Sequence, residues 1–273
     1  MTRTVARGRD AEVEFLQWAL PRLGLRWAGF RRVRGQVCRR VRRRIAALGL
    51  DDLDAYRAYL ESHPDEWEVL DGLTPITISR FYRDREVFAR LEEDVLPALA
   101  SAALAARRDR VRCWSAGCAS GEEAYTLALM WSDGGAPIEI LATDVDATML
   151  DRARTATYSA SSLKELPHGL RERGFVHRDG LYVLRPEPRR LVTLQEHDLR
   201  APPPDGPFDL VLCRNVAFTY LAAERQRVVL WHLAKALRPG GALVIGVHEA
   251  LPQPAPEFEP WPGARAVFRR TPV

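Results

Sequence analysis

Lysine is almost missing from this chain. Of its 40 basic residues only Lys164 and Lys235 are lysine, so any cationic surface is an arginine surface. Cysteine is scarce as well: Cys38, Cys113, Cys118 and Cys213 form no C-x-x-C pair and fall within predicted helix, strand or loop. That spacing argues for free thiols over disulfides or a zinc site, and no metal is expected. No apolar run reaches the ~18 residues that a membrane span needs, and the stretch Met1 to Asp10 lacks the apolar core of a signal peptide. We therefore expect a cytoplasmic protein without membrane insertion. A net charge of +4 steers no partner by itself. With 273 residues, 47% of them hydrophobic and 28% charged, the chain can bury the core of one large domain or of a small and a larger one.

The first 75 or so residues read as helices joined by short loops. Asp10 can cap a helix carrying Val13, Phe15, Leu16, Trp18 and Leu20, which Pro21 and Gly24 end. A second helix, roughly 30–48, places Val33, Val37, Val41, Ile45 and Leu48 on one stripe and is closed by Gly49. Arg26, Arg31, Arg32, Arg34, Arg39, Arg40, Arg42, Arg43 and Arg44 crowd this region. A charge run of this kind is either a solvated face or a docking surface for an acidic partner. No aromatic RNA-binding signature or helix-turn-helix pattern interleaves with the arginines, so an acidic protein partner or substrate at about 26–44 ranks above nucleic acid. Asp51 or Asp52 caps the next helix, and Pro64 starts another around Trp67.

Leu73 to Asp84 is hydroxyl-rich and aromatic, unlike an ordinary linker, and leads into a helix from Asp84 to about Arg107 with Val87, Phe88, Leu91, Val95, Leu96 and Leu99 on one side. From Val111 the pattern alternates strand and helix. Asp-Gly at 179–180 sits between apolar runs, which predicts an antiparallel ribbon inserted at about 174–194. Phe208 to Cys213 reads as a buried strand, Ala223 to Leu237 as a helix, and Pro239-Gly240-Gly241 as a turn into a strand at 242–247, with a last strand near 266–270. The expected layout is a helical domain over 1–75, a connecting segment and long helix over 76–110, and an α/β domain over 111–273.

The strand Val111 to Ser115 breaks into the small-residue loop Ala116 to Gly121 and then a helix opened by Glu122 and Glu123. Glycine and alanine let backbone approach a ligand, and the tip of such a strand is where open α/β sheets bind nucleotides. Gly117 and Gly121 lie four apart, which is not the G-x-G-x-x-G of dinucleotide enzymes, and paired acids would repel a pyrophosphate. They would suit S-adenosyl-L-methionine, which carries an ammonium and a sulfonium. Simple complementing of the helix dipole is the other reading of those acids. Asp144, at the tip of the second strand, stands where nucleotide folds bind ribose hydroxyls, and Asp146 can cap the following helix.

Together with Asn215 at a strand tip and Arg-Pro-Gly-Gly before a late strand, these features point to an α/β, class I methyltransferase (Rossmann-like) doubly wound sheet with a small N-terminal helical domain and a short inserted antiparallel β-ribbon. The finer motifs are Thr77-Ile-Ser79-Arg-Phe-Tyr-Arg83-Asp, Trp114 to Tyr125, Ala142-Thr-Asp-Val-Asp146, Cys213-Arg-Asn-Val216 and Gly246-Val-His-Glu249. In this order they resemble the CheR-type protein-glutamate methyltransferases of bacterial chemotaxis, from the arginine helix to about Leu251. By that resemblance Thr77, Ser79, Arg83, Ala116, Gly117, Glu122, Asp144, Val145, Asp198, Leu199, Arg214 and Asn215 would line the S-adenosylmethionine site, and the N-terminal helices would lie over it. Arg83 could hold an acceptor carboxylate beside the methyl group. The chain departs from the family where Thr219 replaces an aromatic hydroxyl, Tyr220 stands one position along, and His248 is moved by one. Thr219 and Tyr220 join Arg83 as catalytic candidates. Three functions follow as expectations: a protein carboxyl methyltransferase, a methyltransferase acting on a small-molecule acceptor, and a non-catalytic module binding S-adenosylmethionine or nucleic acid.

Overall fold

The structure, a computed structural model, describes residues 2–131 and 137–272 of the chain, with side chains from Asp10 onward. It divides into two compact units: the helices up to Ile76 together with Thr219–Arg225, and Thr77–Phe218 together with the chain from Gln226.

In the first unit α1 (Thr2–Arg22) ends at Gly24, whose φ of +64° lets the Leu25 N–H reach back to the Leu20 carbonyl at 2.9 Å. Asp10 lies inside this helix and does not cap it, because no strong breaker precedes it to stop the helix from propagating. The chain then makes α2 (Trp27–Phe30) and, after a turn at 31–33, α3 (Arg34–Ala47). The arginine helix therefore starts at Arg34, four residues later than the expected start at about 30. Val37, Val41 and Ile45 are buried, whereas Val33 and Leu48 at the ends are only half-buried. Past the helix end Gly49, at φ +68°, turns the chain so that Leu50 donates to the Ile45 carbonyl at 3.1 Å. Asp52 caps α4 (Leu53–Ser62) by accepting from the Ala55 amide at 2.9 Å, a bond worth about 1 kcal/mol. The last helix of this unit before Ile76 is α5 (Glu66–Gly72). Its buried Glu66 takes the Arg44 fork at 2.9 and 2.7 Å and the Tyr56 hydroxyl at 2.8 Å. Those hydrogen bonds, that of Arg44 first, hold the Glu66 carboxyl below its ordinary range despite burial.

The second unit opens with α6 (Arg85–Arg90), which runs through a π-helical turn at Leu91–Val95 into α7 (Leu96–Ala105). All of its expected apolar side, Val87 to Leu99, is buried. Then follow β1 (Val111–Ala116), α8 (Glu122–Trp131), β2 (Ile138–Asp144), α9 (Ala147–Thr155), β3 (Thr157–Tyr158), α10 (His168–Gly174), β4 (Phe175–Arg178) and β5 (Leu181–Leu184). The remainder is α11 (Pro186–Arg189), β6 (Val192–Glu196), β7 (Phe208–Leu212), α12 (Ala217–Tyr220), α13 (Ala223–Ala236), β8 (Leu237–Val244), β9 (Phe258–Pro260) and β10 (Val267–Arg270).

A seven-stranded sheet of order β6-β2-β1-β7-β8-β10-β9 forms the core, parallel from β6 to β8 and antiparallel at β10 and β9. The chain moves outward from β1 to β6 and then returns to β7 on the other side of β1. That reversal is a topological switch point, where open sheets bind ligands at the carboxyl ends of their strands. Asp179 and Gly180, both at positive φ, turn β4 into β5 as expected. The ribbon ends sooner than predicted, however. Residues 192–196 leave it to pair in parallel with β2 at the edge of the main sheet, because their half-buried pattern fits an edge strand. The ribbon gains Thr157–Tyr158 instead, a pairing too short to carry a sequence signal. β9 was likewise unforeseen, and the late strand occupies Leu237–Val244, not 242–247.

Candidate functional site

The carboxyl ends of β1, β2 and β7 gather most of the predicted residues. After Ala116, the Gly117 and Cys118 amides both donate to the Thr143 carbonyl at 2.8 Å, which fastens the first loop to the end of β2. Gly117 sits at φ +83°, and a Cβ there would come within 2.8 Å of Val216, so the bend requires glycine on two counts. The Asp144 carboxylate closes the turn from the other side, accepting from Ala119 N–H at 2.8 Å and from Asp146 N–H at 3.0 Å. Asp146 caps α9 through Thr148 and Met149, as expected. Beside it Val145 is an exposed apolar side chain.

Glu122 opens α8 and is 3% exposed, an unusual place for a carboxylate. The Ser120 hydroxyl bridges both of its oxygens at 3.0 Å, and Ser79 adds a second hydroxyl. Burial still pushes the Glu122 carboxyl above its ordinary pKa, against these hydrogen bonds. Asp144 is raised for the same reason, with the backbone amides of 146 and 119 opposing. Neither Glu122 nor Asp144 has an ion-pair partner among the described residues, and two such carboxylates at one loop suit a cation. Asp198 differs. Burial would raise its carboxyl, but Arg200 binds it through Nε at 2.8 and 3.0 Å and leaves it below the usual range. Leu199 beside it is half-buried.

The segment before α6 is locked to this unit. Phe81 is buried edge-on against Tyr158 and Phe175, Phe81 N–H donates to the Ser162 carbonyl at 3.0 Å, and Tyr82 N–H donates to Thr126 at 3.1 Å. Two arginines flank the segment with opposite fates. Arg214, at the tip of β7, is 6% exposed and spends itself on protein: Asp84 at 2.7 Å, Glu123 at 3.0 Å and the Arg83 carbonyl at 2.8 Å. This makes Arg214 a tie between segments. Arg83 is half-buried, donates to the Ile78 carbonyl at 2.9 Å, and has no carboxylate partner among the described residues. Thr77 lies half-buried in the same segment.

Asn215 adopts the left-handed conformation at φ +58° and is held there by Glu249, whose Oε2 accepts from the Asn215 and Gly246 amides at 2.8 and 2.7 Å. A Cβ on Gly246 would stand 2.3 Å from the Asn215 side-chain nitrogen and 2.8 Å from the Glu249 Oε2, so a larger residue at 246 would push those side chains aside. Glu249 lay inside a motif read from the sequence without receiving a role there, and Glu123, read with Glu122 as one of two acids suited to a cationic ligand, is instead paired with Arg214. Their signal was an acid beside a glycine turn. Thr219 and Tyr220 belong to the first unit, where the Tyr220 ring packs on buried Phe30 with centroids 4.9 Å apart.

A buried acid opening the helix after β1, at the switch point of a mostly parallel sheet, defines a class I methyltransferase using S-adenosylmethionine. The family model "CheR methyltransferase, SAM binding domain" matches residues 77–267, and "CheR methyltransferase, all-alpha domain" matches 33–70. The chain belongs to the CheR methyltransferase family. A chemotaxis protein methyltransferase of Listeria monocytogenes is 38% identical over 186 residues, 67% of this chain and 69% of that protein. One from Salmonella typhimurium is 32% identical over 240 residues, 82% of this chain and 79% of the relative. An uncharacterized 104.1 kDa protein of Rhodobacter capsulatus is 37% identical over 231 residues, which cover 82% of this chain but only 24% of that protein. No helix among the described residues is long and apolar enough to cross a membrane.

Proposed function

We propose that this chain methylates a carboxylate oxygen, that of a glutamate on a protein, with S-adenosylmethionine as donor. The observation that carries the reading is Arg83: a guanidinium on a segment pinned by Phe81, Tyr82 and Arg214, yet itself without a carboxylate. A fork held in place but not neutralised suits an acceptor carboxylate, through charge-assisted hydrogen bonds.

The residues at the loop fit the cofactor. Glu122, with Ser79 and Ser120 behind it, would face the amino group, and Asp144 the ribose hydroxyls. Val145 would offer the purine an exposed apolar face, Ala116 and Gly117 would let the backbone approach, and Thr77, Leu199, Asp198 and Asn215 would complete the wall. Arg214 would act there through Arg83 and Glu123. When bound, S-adenosylmethionine supplies a sulfonium methyl group that an anionic oxygen takes by in-line displacement, the carbon–sulfur electron pair returning to sulfur. The chain's own part is to align the oxygen and exclude water. No general base is needed, because a carboxylate is already anionic at neutral pH.

The arginine helix supports a protein acceptor or partner with an acidic surface. Arg40, Arg42 and Arg44 are engaged within the unit, whereas Arg32, Arg39 and Arg43 are exposed and form no ion pair among the described residues. Association through them would weaken with salt. A small carboxylate as acceptor is favoured by one observation only, Thr219 standing where the family has a bulkier aromatic hydroxyl.

Replacing Arg83 by lysine tests the reading, since lysine keeps the charge and loses the fork. Turnover should fall about tenfold or more while cofactor affinity stays within about twofold. A wild-type rate would remove Arg83, and the carboxylate acceptor with it.

A further inference from the structure

Tyr82, Arg83 and Asp84 follow one another in the second unit, and the outer two hold the left-handed conformation, at φ +58° and +65°. Aspartate visits that region readily, but a bulky tyrosine seldom does, because its Cβ crowds the next carbonyl. Such backbone persists only where its surroundings over-determine it. Tyr82 is fixed through its N–H, which donates to Thr126 at 3.1 Å, and through its ring, which is buried and stacked on Phe88 with centroids 5.3 Å apart. Asp84 is fixed by Arg214. One guanidinium nitrogen, Nη2, donates to the Asp84 carboxylate at 2.7 Å and to the Arg83 carbonyl at 2.8 Å. The other, Nη1, donates to Glu123 at 3.0 Å, and the Ser115 hydroxyl donates to the second Glu123 oxygen at 2.8 Å. The Arg214 side chain is 2% exposed and its guanidinium lies 4.9 Å from the Phe88 ring, so its charge depends on those two acids. All of these residues belong to the second unit.

We propose that Arg214 is a positioning residue for Arg83, which it holds through Asp84 and leaves unpaired by occupying the neighbouring carboxylate. An unengaged acid one residue away would compete for the Arg83 guanidinium. Arg83 instead donates to the Ile78 carbonyl at 2.9 Å, a neutral acceptor that leaves its charge uncancelled. Glu123 matters at one remove, because it fixes the Arg214 nitrogen that Asp84 does not use. The inference rests on the reading of Arg83 above and adds the device that sets it in place. A positioning role differs from a merely structural one in that it acts through Arg83 and vanishes once the fork there is gone.

The test uses the full chain with Asp84→Gly, which admits the left-handed φ but has no carboxylate. Asp84→Asn, which suits the same φ and keeps one acceptor, is the milder substitution that holds if the first does not fold. Each is also combined with Arg83→Lys. Three readouts are needed: amide hydrogen exchange at Tyr82, calorimetric affinity for S-adenosylhomocysteine, and the rate of methyl incorporation from tritiated S-adenosylmethionine into bacterial extract protein. Asp84→Gly should speed exchange and cut the rate about tenfold, with affinity within about threefold, and Asp84→Asn should show the same pattern with a rate loss of about threefold. In the Arg83→Lys background either substitution should change the rate by less than about twofold, since effects exerted through one residue do not multiply. Multiplying effects, or unchanged exchange and rate in the single variants, would overturn the positioning role. A wild-type rate in Arg83→Lys alone removes the reading of Arg83 and the inference with it, whereas a slow Arg83→Lys chain with multiplying effects removes only the part given to Arg214. Should the unaltered chain label no protein, the carboxylate reading fails separately, and exchange at Tyr82 still decides whether Arg214 holds residues 82–84.

Discussion

The loop after β1 and the segment 219–222 are organised in opposite ways. Ala116 to Glu122 is held from within its own βαβ unit: Thr143 and Asp144, about 25 residues on, take its amides, and Tyr158 donates its hydroxyl to the Ser120 carbonyl at 2.7 Å. Thr219 to Ala222 is held by residues 24–26, which lie 193 positions away in the case of Arg26 and Thr219. The first arrangement belongs to a fold shared by many methyltransferases, and the second to this chain's own N-terminal unit.

The largest effect that would sharpen this contrast is expected at Glu122. Burial holds its folded-state pKa above the ordinary value of 4.5. The sign is therefore the reverse of the usual carboxylate: folding favours the protonated form, and the stability this contributes is lost as pH rises through 4.5 to the raised pKa. On the proposed reading cofactor binding runs the other way, needing the anion and weakening as pH falls through that same window. Glu122→Gln should raise the melting temperature of the free protein at pH 7 and weaken cofactor affinity about tenfold or more, since a charge-assisted bond contributes about 1.5–3 kcal/mol. Lowered stability together with unchanged affinity, measured by calorimetry, would make the buried acid structural.

Asp144→Ala should cost several-fold in affinity, about 1 kcal/mol, because the ribose site and two loop amides lose one acceptor together. Slower turnover at unaltered affinity would place Asp144 away from the ribose. The smallest effect is expected at Tyr220. Tyr220→Phe keeps the ring against Phe30 and should change the rate less than about threefold. A large loss of turnover would return the hydroxyl to the chemistry.

What the sequence revealed follows the same division. The strand, loop and helix from Val111 to Trp131 were readable because small residues, paired acids and periodicity all act within twenty positions. Asp52 and Asp146 as caps, Gly49 as a helix stop and Asp179-Gly180 as a turn are likewise local rules. Asp10 shows where a local rule fails, since a good capping residue starts no helix that has already begun. Residues 192–194 were assigned to the ribbon because an apolar run after a hairpin carries no mark of its partner, and only β2 decides it. Glu249, which clamps Asn215 from 34 positions away, and Arg214, which joins Asp84 to Glu123, are tertiary pairings of charges that look like any others in the chain.

The most direct test of the account is the fate of the methyl group. The chain is incubated with tritiated S-adenosylmethionine and bacterial extract, and the protein and small-molecule fractions are separated and treated with base. The account predicts counts in the protein fraction that mild base releases as methanol. Label confined to small molecules, base-stable label on protein, or tight cofactor binding with no transfer at all would contradict it.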